Sequence, residues 1–322
     1  MATRDLVVLG TASAVPTRAR NHNGYLLRWD GHGILFDPGE GTQRQMLNAG
    51  VSAHDIRWIC LTHFHGDHCL GVPGVIQRIA RDGVGHPVRA VFPASGAVYW
   101  RRLRHAAVFA DTDVVAEQPI TGDEAWIDTA DAPFALTARR LSHPVEAYGY
   151  RLVEPDGFTM LPEKLTEYGL GGPLVGELQR VGRVTAPDGR TVTRAECSVP
   201  RPGQKAAFIM DTRICDAITQ LADGVDLLII ESTFLGVDAR LAAEYGHLTA
   251  AQAGEIAAEC GVRRLVLTHF SERYSAEDQL RFADEAAAAF SGDIVLAQDL
   301  DRVPVPPRRR LEPTSGPGTT SV

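Results

Sequence analysis

Leu61-Thr62-His63-Phe64-His65-Gly66-Asp67-His68 sets three imidazoles and a carboxylate into six residues, directly after an apolar run. Nitrogen and oxygen donors without cysteine sulfur suit a catalytic metal site, because structural zinc sites are usually closed by thiolates. His63 and His65 stand two apart, so in an extended segment both rings point to one side. Asp67 and His68 follow a turn that Gly66 permits, and adjacent side chains diverge there. Two donor pairs aimed differently imply two metal ions, with this segment as the seed of a dinuclear site. Any single one of the chain's 11 histidines reads more simply as an ordinary polar residue. Four donors in so short a span do not.

One loop cannot supply every ligand of such a site, and three further donors stand in strand-end contexts. His143 lies in Arg139-Arg140-Leu141-Ser142-His143-Pro144, Asp211 follows Ala206-Ala207-Phe208-Ile209-Met210, and His269 follows Arg264-Leu265-Val266-Leu267-Thr268. Strand ends are where α/β sheets place their chemistry. A carboxylate has two oxygens, so Asp211 is the natural bridge between ions that stand about 3.5–4 Å apart in two-metal sites. Asp211-Thr212 equally suits a turn or a helix cap. Leu267-Thr268-His269 repeats Leu61-Thr62-His63, as expected of a fold built from two similar halves.

The chain has 322 residues, 44% of them hydrophobic, enough for one large core of sheet and helices. No apolar stretch approaches the ~20 residues that span a bilayer, and the N-terminus enters a buried-strand pattern, Asp5-Leu6-Val7-Val8-Leu9-Gly10, without a signal peptide, so a cytoplasmic protein is expected. Five cysteines without CxxC spacing indicate neither a disulfide framework nor a thiolate metal site. A net charge of −8 argues against non-specific coating of nucleic acid, which rests on phosphate neutralisation. From Leu178 to Lys205 the sign reverses: Arg180, Arg183, Arg190, Arg194, Arg201 and Lys205 stand against only Asp188 and Glu196.

The first half reads as short strands at 5–10, 24–28, 33–37, 56–62 and 88–92, with helices at 42–49 and, after Pro73, 74–80. The second half reads as strands at 227–230 and 265–267, with helices at 249–259, stopped by Gly261, and 276–289. Strands alternating with helices in both halves predict an α/β fold of two packed sheets with helices outside, a four-layer αββα sandwich. The main domain is expected over 1–302. The Gly-, Pro- and charge-rich stretch at about 155–205 does not read as core and is taken as an insertion projecting from the sandwich. Residues 303–322 read as a disordered tail, with Arg308-Arg309-Arg310 solvated.

An HxHxDH string at a strand end resembles the metallo-β-lactamase superfamily, which implies the same αββα sandwich. That superfamily spans many substrates, so other motifs must choose among them. Five strings resemble the ribonuclease Z family, endonucleases that remove the 3′ trailer from precursor tRNA. They are Phe36-Asp37-Pro38-Gly39-Glu40-Gly41-Thr42-Gln43; the metal loop continuing through Leu70-Gly71-Val72-Pro73-Gly74; Ala147-Tyr148-Gly149-Tyr150-Arg151-Leu152; Gly246-His247-Leu248-Thr249; and Leu267-Thr268-His269-Phe270-Ser271-Glu272-Arg273-Tyr274. The family carries a flexible arm whose Gly-Pro motif grips the tRNA elbow, and Gly172-Pro173-Leu174 in the insertion matches it. Two positions depart from the pattern: Met210 stands where members commonly have glycine before the bridging aspartate, and Ile230 where they have histidine before Glu231.

The resemblance implies one ion on His63, His65 and His143, a second on Asp67, His68 and His269, and Asp211 shared between them. Two Zn²⁺ per subunit are expected, with Mn²⁺ or Fe²⁺ able to use the same donors. It further implies Asp67 as a residue that orients or deprotonates the nucleophile and His247 as the general acid, with Glu231 orienting it; His247 also suits a helix start capped by Thr249. Arg273 is placed either to contact a phosphate or to form a surface ion pair, and Asp37 reads as a loop-holding residue rather than a ligand. The implied partners are precursor tRNA and a second copy of the chain, with no membrane. The competing expectation is a metallo-hydrolase of small phosphodiesters or related esters, which shares the metal site and needs no arm.

Overall fold

Along the first strand, Arg4–Gly10, alternate side chains go to opposite faces, as the two-residue period of a strand requires. Leu6 and Val8 join one buried cluster and Val7 and Leu9 another. That sorting builds the layers. The structure, a computed structural model, describes residues 3–129 and 132–309. The chain divides into two compact units, one of residues 1–153 and 205–306 and one of residues 154–204 and 307–322.

The larger unit holds two seven-stranded sheets. The first runs in the order Arg302–Pro304, Arg4–Gly10, Gly24–Trp29, His32–Phe36, Ile56–Cys60, Val88–Pro93, Val115–Ile120. The second runs Asp293–Leu296, Arg264–Thr268, Leu227–Glu231, Lys205–Ile209, Tyr148–Val153, Ala135–Arg140, Glu124–Ile127. In both, a parallel half joins an antiparallel half. Their inner faces meet in a core that includes Tyr25, Phe36, Tyr150, Phe208 and Val266, with Phe36 stacked on Phe208 at 4.3 Å between ring centroids. The outer face of the first sheet packs on the helices Val72–Arg81 and Ala97–Arg104. The outer face of the second packs on Asp216–Ala222, Ala250–Glu259 and Gln279–Ala287. These are the four layers expected from the sequence.

Met210 and Ile230 explain themselves here. Both are fully buried, Met210 between the sheets and Ile230 under the outer helices, and the left-handed backbone falls one residue after Met210, on Asp211. No glycine is required at 210.

Two boundaries and one side-chain contact differ from the expectation. The helix placed after Pro73 begins at Val72, because a proline in the first turn lacks only an N–H that has no helical partner there. Residues 303–305, placed in the tail, belong to the fold: Val303 pairs with Leu6 and is buried with Val305, so the chain returns to close the edge of the first sheet. Arg308 is not solvated but makes two hydrogen bonds of 2.6 Å to the carboxylate of buried Glu154. Arg310 and the remainder of the expected tail lie outside the described residues.

The smaller unit has elements and a core of its own, which a Gly- and Pro-rich composition did not advertise. Gly157–Met160 pairs with Ser198–Arg201, and Arg183–Thr185 with Thr191–Thr193. Leu170, Leu178, Val184, Val192 and Cys197 are buried together. Gly172, with φ of +52°, precedes the helix Pro173–Val181, whose first residue is the proline of the Gly-Pro pair.

Candidate metal centre

Five segments of the larger unit end at one edge of the sandwich, and each delivers a side chain to the same place. Ile56–Cys60 runs into the histidine loop, the connection after Ala135–Arg140 carries His143, Lys205–Ile209 leads to Asp211, Leu227–Glu231 ends on Glu231, and Arg264–Thr268 leads to His269. Sheet order brings together residues far apart in the chain: His68 and His269 are separated by 201 positions, and their Nε2 atoms lie 3.2 Å from each other.

The donors fall into two sets that share Asp211. Its Oδ2 faces His63 Nε2 at 3.5 Å and His143 Nε2 at 3.8 Å, while its Oδ1 faces His68 Nε2 at 3.3 Å and His269 Nε2 at 3.2 Å. His65 Nδ1 completes the first set, 3.5 Å from His143 Nε2. Asp67 Oδ2 completes the second, 3.3 Å from His68 Nε2 and 3.6 Å from His269 Nε2. Asp67 Oδ2 also accepts the Ala14 N–H at 3.0 Å.

Four of the histidines are fixed through Nδ1. His68 Nδ1 donates to Asp37 Oδ2 at 2.9 Å and His143 Nδ1 to Gly246 O at 3.0 Å, acceptors that carry no proton to give. The Thr62 hydroxyl donates to Asp37 Oδ2 at 2.7 Å, so its oxygen accepts from His63 Nδ1 at 2.9 Å. The Thr233 hydroxyl donates to Glu231 Oε2 at 2.5 Å and accepts from His269 Nδ1 at 2.7 Å. For His63, His143 and His269 this leaves the Nε2 lone pair for the shared space, the arrangement in which an outer partner sets tautomer and ring orientation, and His68 Nε2 faces the same space 3.3 Å from Asn23 Nδ2.

These residues fit metal ions. His63 Nε2 and Asp211 Oδ1 are buried without a hydrogen-bond partner, which a polar atom away from water rarely tolerates. Burial by itself would raise the carboxyls of Asp67 and Asp211, yet the facing histidines hold both well below the usual carboxylate range. Burial would likewise lower His68, but Asp211, Asp67 and Asp37 push it well above the usual imidazole range. Burial lowers His63, His65 and His143. Carboxylates and imidazoles together are a donor set for divalent cations, and an ion bound there would take the place of the proton that these acids favour on His68.

Local backbone and glycines hold the loops at this spacing. Asp37, Asp211 and His269 have φ of 42°, 41° and 62°, a left-handed region that costs non-glycine residues roughly 1–3 kcal/mol each and persists where surroundings impose it. A Cβ on Gly39 would sit 2.1 Å from Asp67 O, and one on Gly71 would sit 2.0 Å from Gly39 O. Glycine at both positions lets the Asp37 loop press against the histidine loop.

His247 stands at the rim, its side chain 13% exposed, with Nδ1 donating to Glu231 Oε2 at 3.0 Å. Burial opposes its charge, but Glu231 and Asp211 raise it to about 9. With Asp211 and His269 it forms a third grouping close enough to hold an ion. Thr249 caps the following helix and accepts from Gln252 N, so His247 lies before the helix rather than in it. Arg273 lies 3.6 Å from Asp238 and over the Phe234 ring at 5.6 Å. Gly172 and Pro173 belong to the smaller unit. Sequence reasoning missed Thr62 and Thr233, whose hydroxyls join carboxylate to histidine; the repeated Leu-Thr-His string was the available signal for the first.

Family models agree with this architecture. A model described as metallo-beta-lactamase superfamily matches residues 17–174, and one described as beta-lactamase superfamily domain matches 184–270. The chain is 60% identical over 321 residues to a ribonuclease Z of Thermobifida fusca, covering 100% of this chain and 99% of that protein. It is 60% identical over 309 residues to a ribonuclease Z of Nocardia farcinica, covering 96% and 100%. Among solved structures, human tRNase Z, short form, superposes with a TM-score of 0.66 at 26% identity over 94% of this chain and 99% of that one.

Proposed function

The chain belongs to the ribonuclease Z family, and we propose that it is a metal-dependent endoribonuclease cleaving precursor tRNA just 3′ of the discriminator base, releasing the trailer and leaving a 3′-hydroxyl. The observation that carries the site assignment is the division of Asp211, one oxygen toward His63 and His143 and the other toward His68 and His269. His63, His65 and His143 would hold one ion and Asp67, His68 and His269 the other, with Asp211 common to both. Zinc suits the nitrogen and oxygen donors, and Mn²⁺ or Fe²⁺ could use them. When bound, such ions lower the pKa of water toward about 7 and offset phosphate charge.

The protein's own groups do the rest. Asp67, held by the Ala14 N–H, orients the attacking water or takes its proton. The bond that breaks is the one from phosphorus to the ribose 3′-oxygen, and that oxygen departs as an alkoxide unless protonated. His247, positioned by Glu231, supplies the proton. Glu231 also accepts Thr212 N at 2.7 Å and the Thr233 hydroxyl, so one buried carboxylate sets both the acid and His269. The Gly172-Pro173 arm is the tRNA-binding element of this reading, Arg273 a phosphate contact, and a homodimer the assembly that family membership supports. Among the described residues no helix is long and apolar enough to cross a membrane.

Incubation of the metal-loaded protein with a precursor tRNA, with and without chelator, tests the reaction. Chelator-sensitive cleavage leaving a 3′-hydroxyl at the discriminator is expected, and a chain lacking residues 161–204 should lose affinity for the precursor while still hydrolysing a nitrophenyl phosphodiester. Intact diester hydrolysis with no precursor cleavage by the full chain would move the assignment to a small-molecule phosphodiesterase.

Asp37→Asn should lower metal affinity roughly 10- to 100-fold, the usual cost of losing an outer partner of a ligand. An amide N–H in place of Oδ2 would meet the Thr62 hydroxyl and His68 Nδ1–H, which both donate to it. A metal-competition titration reads the change; unaltered affinity would mean that Asp37 does not orient His68.

A further inference from the structure

The helix Ala97–Arg104 presents a basic and aromatic face that the site described above does not use. Its inner side is settled: Trp100 is fully buried and stacked on Phe92 at 4.8 Å, and Arg104 is spent on Asp111 and Glu117 at 2.9 and 3.2 Å. Its outer side carries Tyr99, 51% exposed, with exposed Arg101 and Arg102 beside it. The Arg102 guanidinium lies 5.9 Å from the Tyr99 ring centre, and Arg101 Nε donates to Ala97 O within the helix at 3.4 Å. Among the described residues neither Arg101 nor Arg102 forms an ion pair, although the chain as a whole carries a net charge of −8.

This face adjoins the metal loop. Phe64, between His63 and His65, has its ring 6.0 Å from that of Tyr99. A Cβ on Gly96, one residue before the helix, would sit 2.0 Å from the Phe64 ring, so the helix start rests directly on the loop. On the same side Ser95 N donates to Glu146 at 3.4 Å, just beyond His143.

We propose that Tyr99, Arg101 and Arg102 bind the single-stranded trailer of the substrate as it leaves the metal centre. The proposal rests on the nuclease reading given above and adds a substrate contact to it. Two guanidinium groups not committed to a carboxylate supply phosphate contacts, and an exposed aromatic ring supplies a face on which a base stacks. Bases of a duplex are stacked on one another and cannot use it. Next to the scissile bond of a precursor tRNA, the extended unpaired segment is the trailer.

Two measurements test it on the full-length, metal-loaded protein. The first is fluorescence anisotropy with a labelled single-stranded RNA of trailer sequence, against Tyr99→Ala, Tyr99→Phe and the double variant Arg101→Glu, Arg102→Glu. Tyr99→Ala should weaken binding roughly tenfold, within the range expected for loss of one base stack, while Tyr99→Phe keeps it. Replacing both arginines should reduce the dependence of log affinity on log salt by about 0.7 for each phosphate that is no longer neutralised. The second is cleavage of precursors bearing either a single-nucleotide or a long unpaired trailer. KM should rise only for the long trailer, with kcat unchanged. Equal effects on both precursors, unaltered RNA binding, or a change in oligomer mass in the variants would overturn the proposal, the last by showing that the face meets a second copy of the chain. Failure of the unaltered protein to cleave any precursor would instead count against the nuclease reading, and the anisotropy measurement would still decide the trailer contact.

Discussion

His247→Ala is expected to lower turnover of precursor tRNA by roughly 10²- to 10⁴-fold while metal content stays intact, the range for loss of a general acid. His247 Nδ1 is committed to Glu231, and the acids around it hold its proton at neutral pH, with the value raised to about 9. The effect should depend on the leaving group. A ribose 3′-oxygen needs a proton to depart and a nitrophenolate does not, so the same variant should hydrolyse a nitrophenyl phosphodiester nearly as well as the parent. The third grouping, Asp211 with His247 and His269, is the rival arrangement. Under it the variant loses metal, and both substrates suffer alike. Metal analysis beside the two rate measurements separates the roles.

The seven proposed ligands were legible: six read as donor-type residues at or just past the end of an apolar run, and His143, after Arg139-Arg140-Leu141-Ser142, as one just past a strand; strand ends are where the sheet order gathers side chains. Thr62 and Thr233 were not: the repeated Leu-Thr-His string marks Thr62 without giving it a role, Thr233 has no histidine beside it in the chain, and what each does depends on which way one hydroxyl proton points, fixed by Asp37 for the first and Glu231 for the second. The layers could be read from strand and helix periodicity, and the small core of residues 154–204 could not. Its buried residues, such as Leu178, Val184 and Val192, are spaced among polar ones without a sustained period. The end of the chain misled for a different reason. Pro and Arg dominate after Asp301, yet only Val303 and Val305 are needed to fill the sheet edge, and Arg308 is matched by a glutamate 154 residues earlier in the chain.

Asp211→Ala removes the group common to both donor sets, so it should cost more than loss of any ligand that serves one. Cleavage is expected to fall by at least roughly 10³-fold, since a bound cation contributes several kcal/mol of charge stabilisation and each ~1.4 kcal/mol is a factor of ten. Metal content should fall for both positions together. His65→Ala is the contrast: His65 belongs to the first set alone, and the Asp67, His68 and His269 set remains whole without it. Circular dichroism of each variant checks that the fold survives, which the burial of Asp211 makes necessary. Should Asp211→Ala retain both ions, each set binds its ion alone, and the two carboxylate oxygens that face opposite sets are not a bridge.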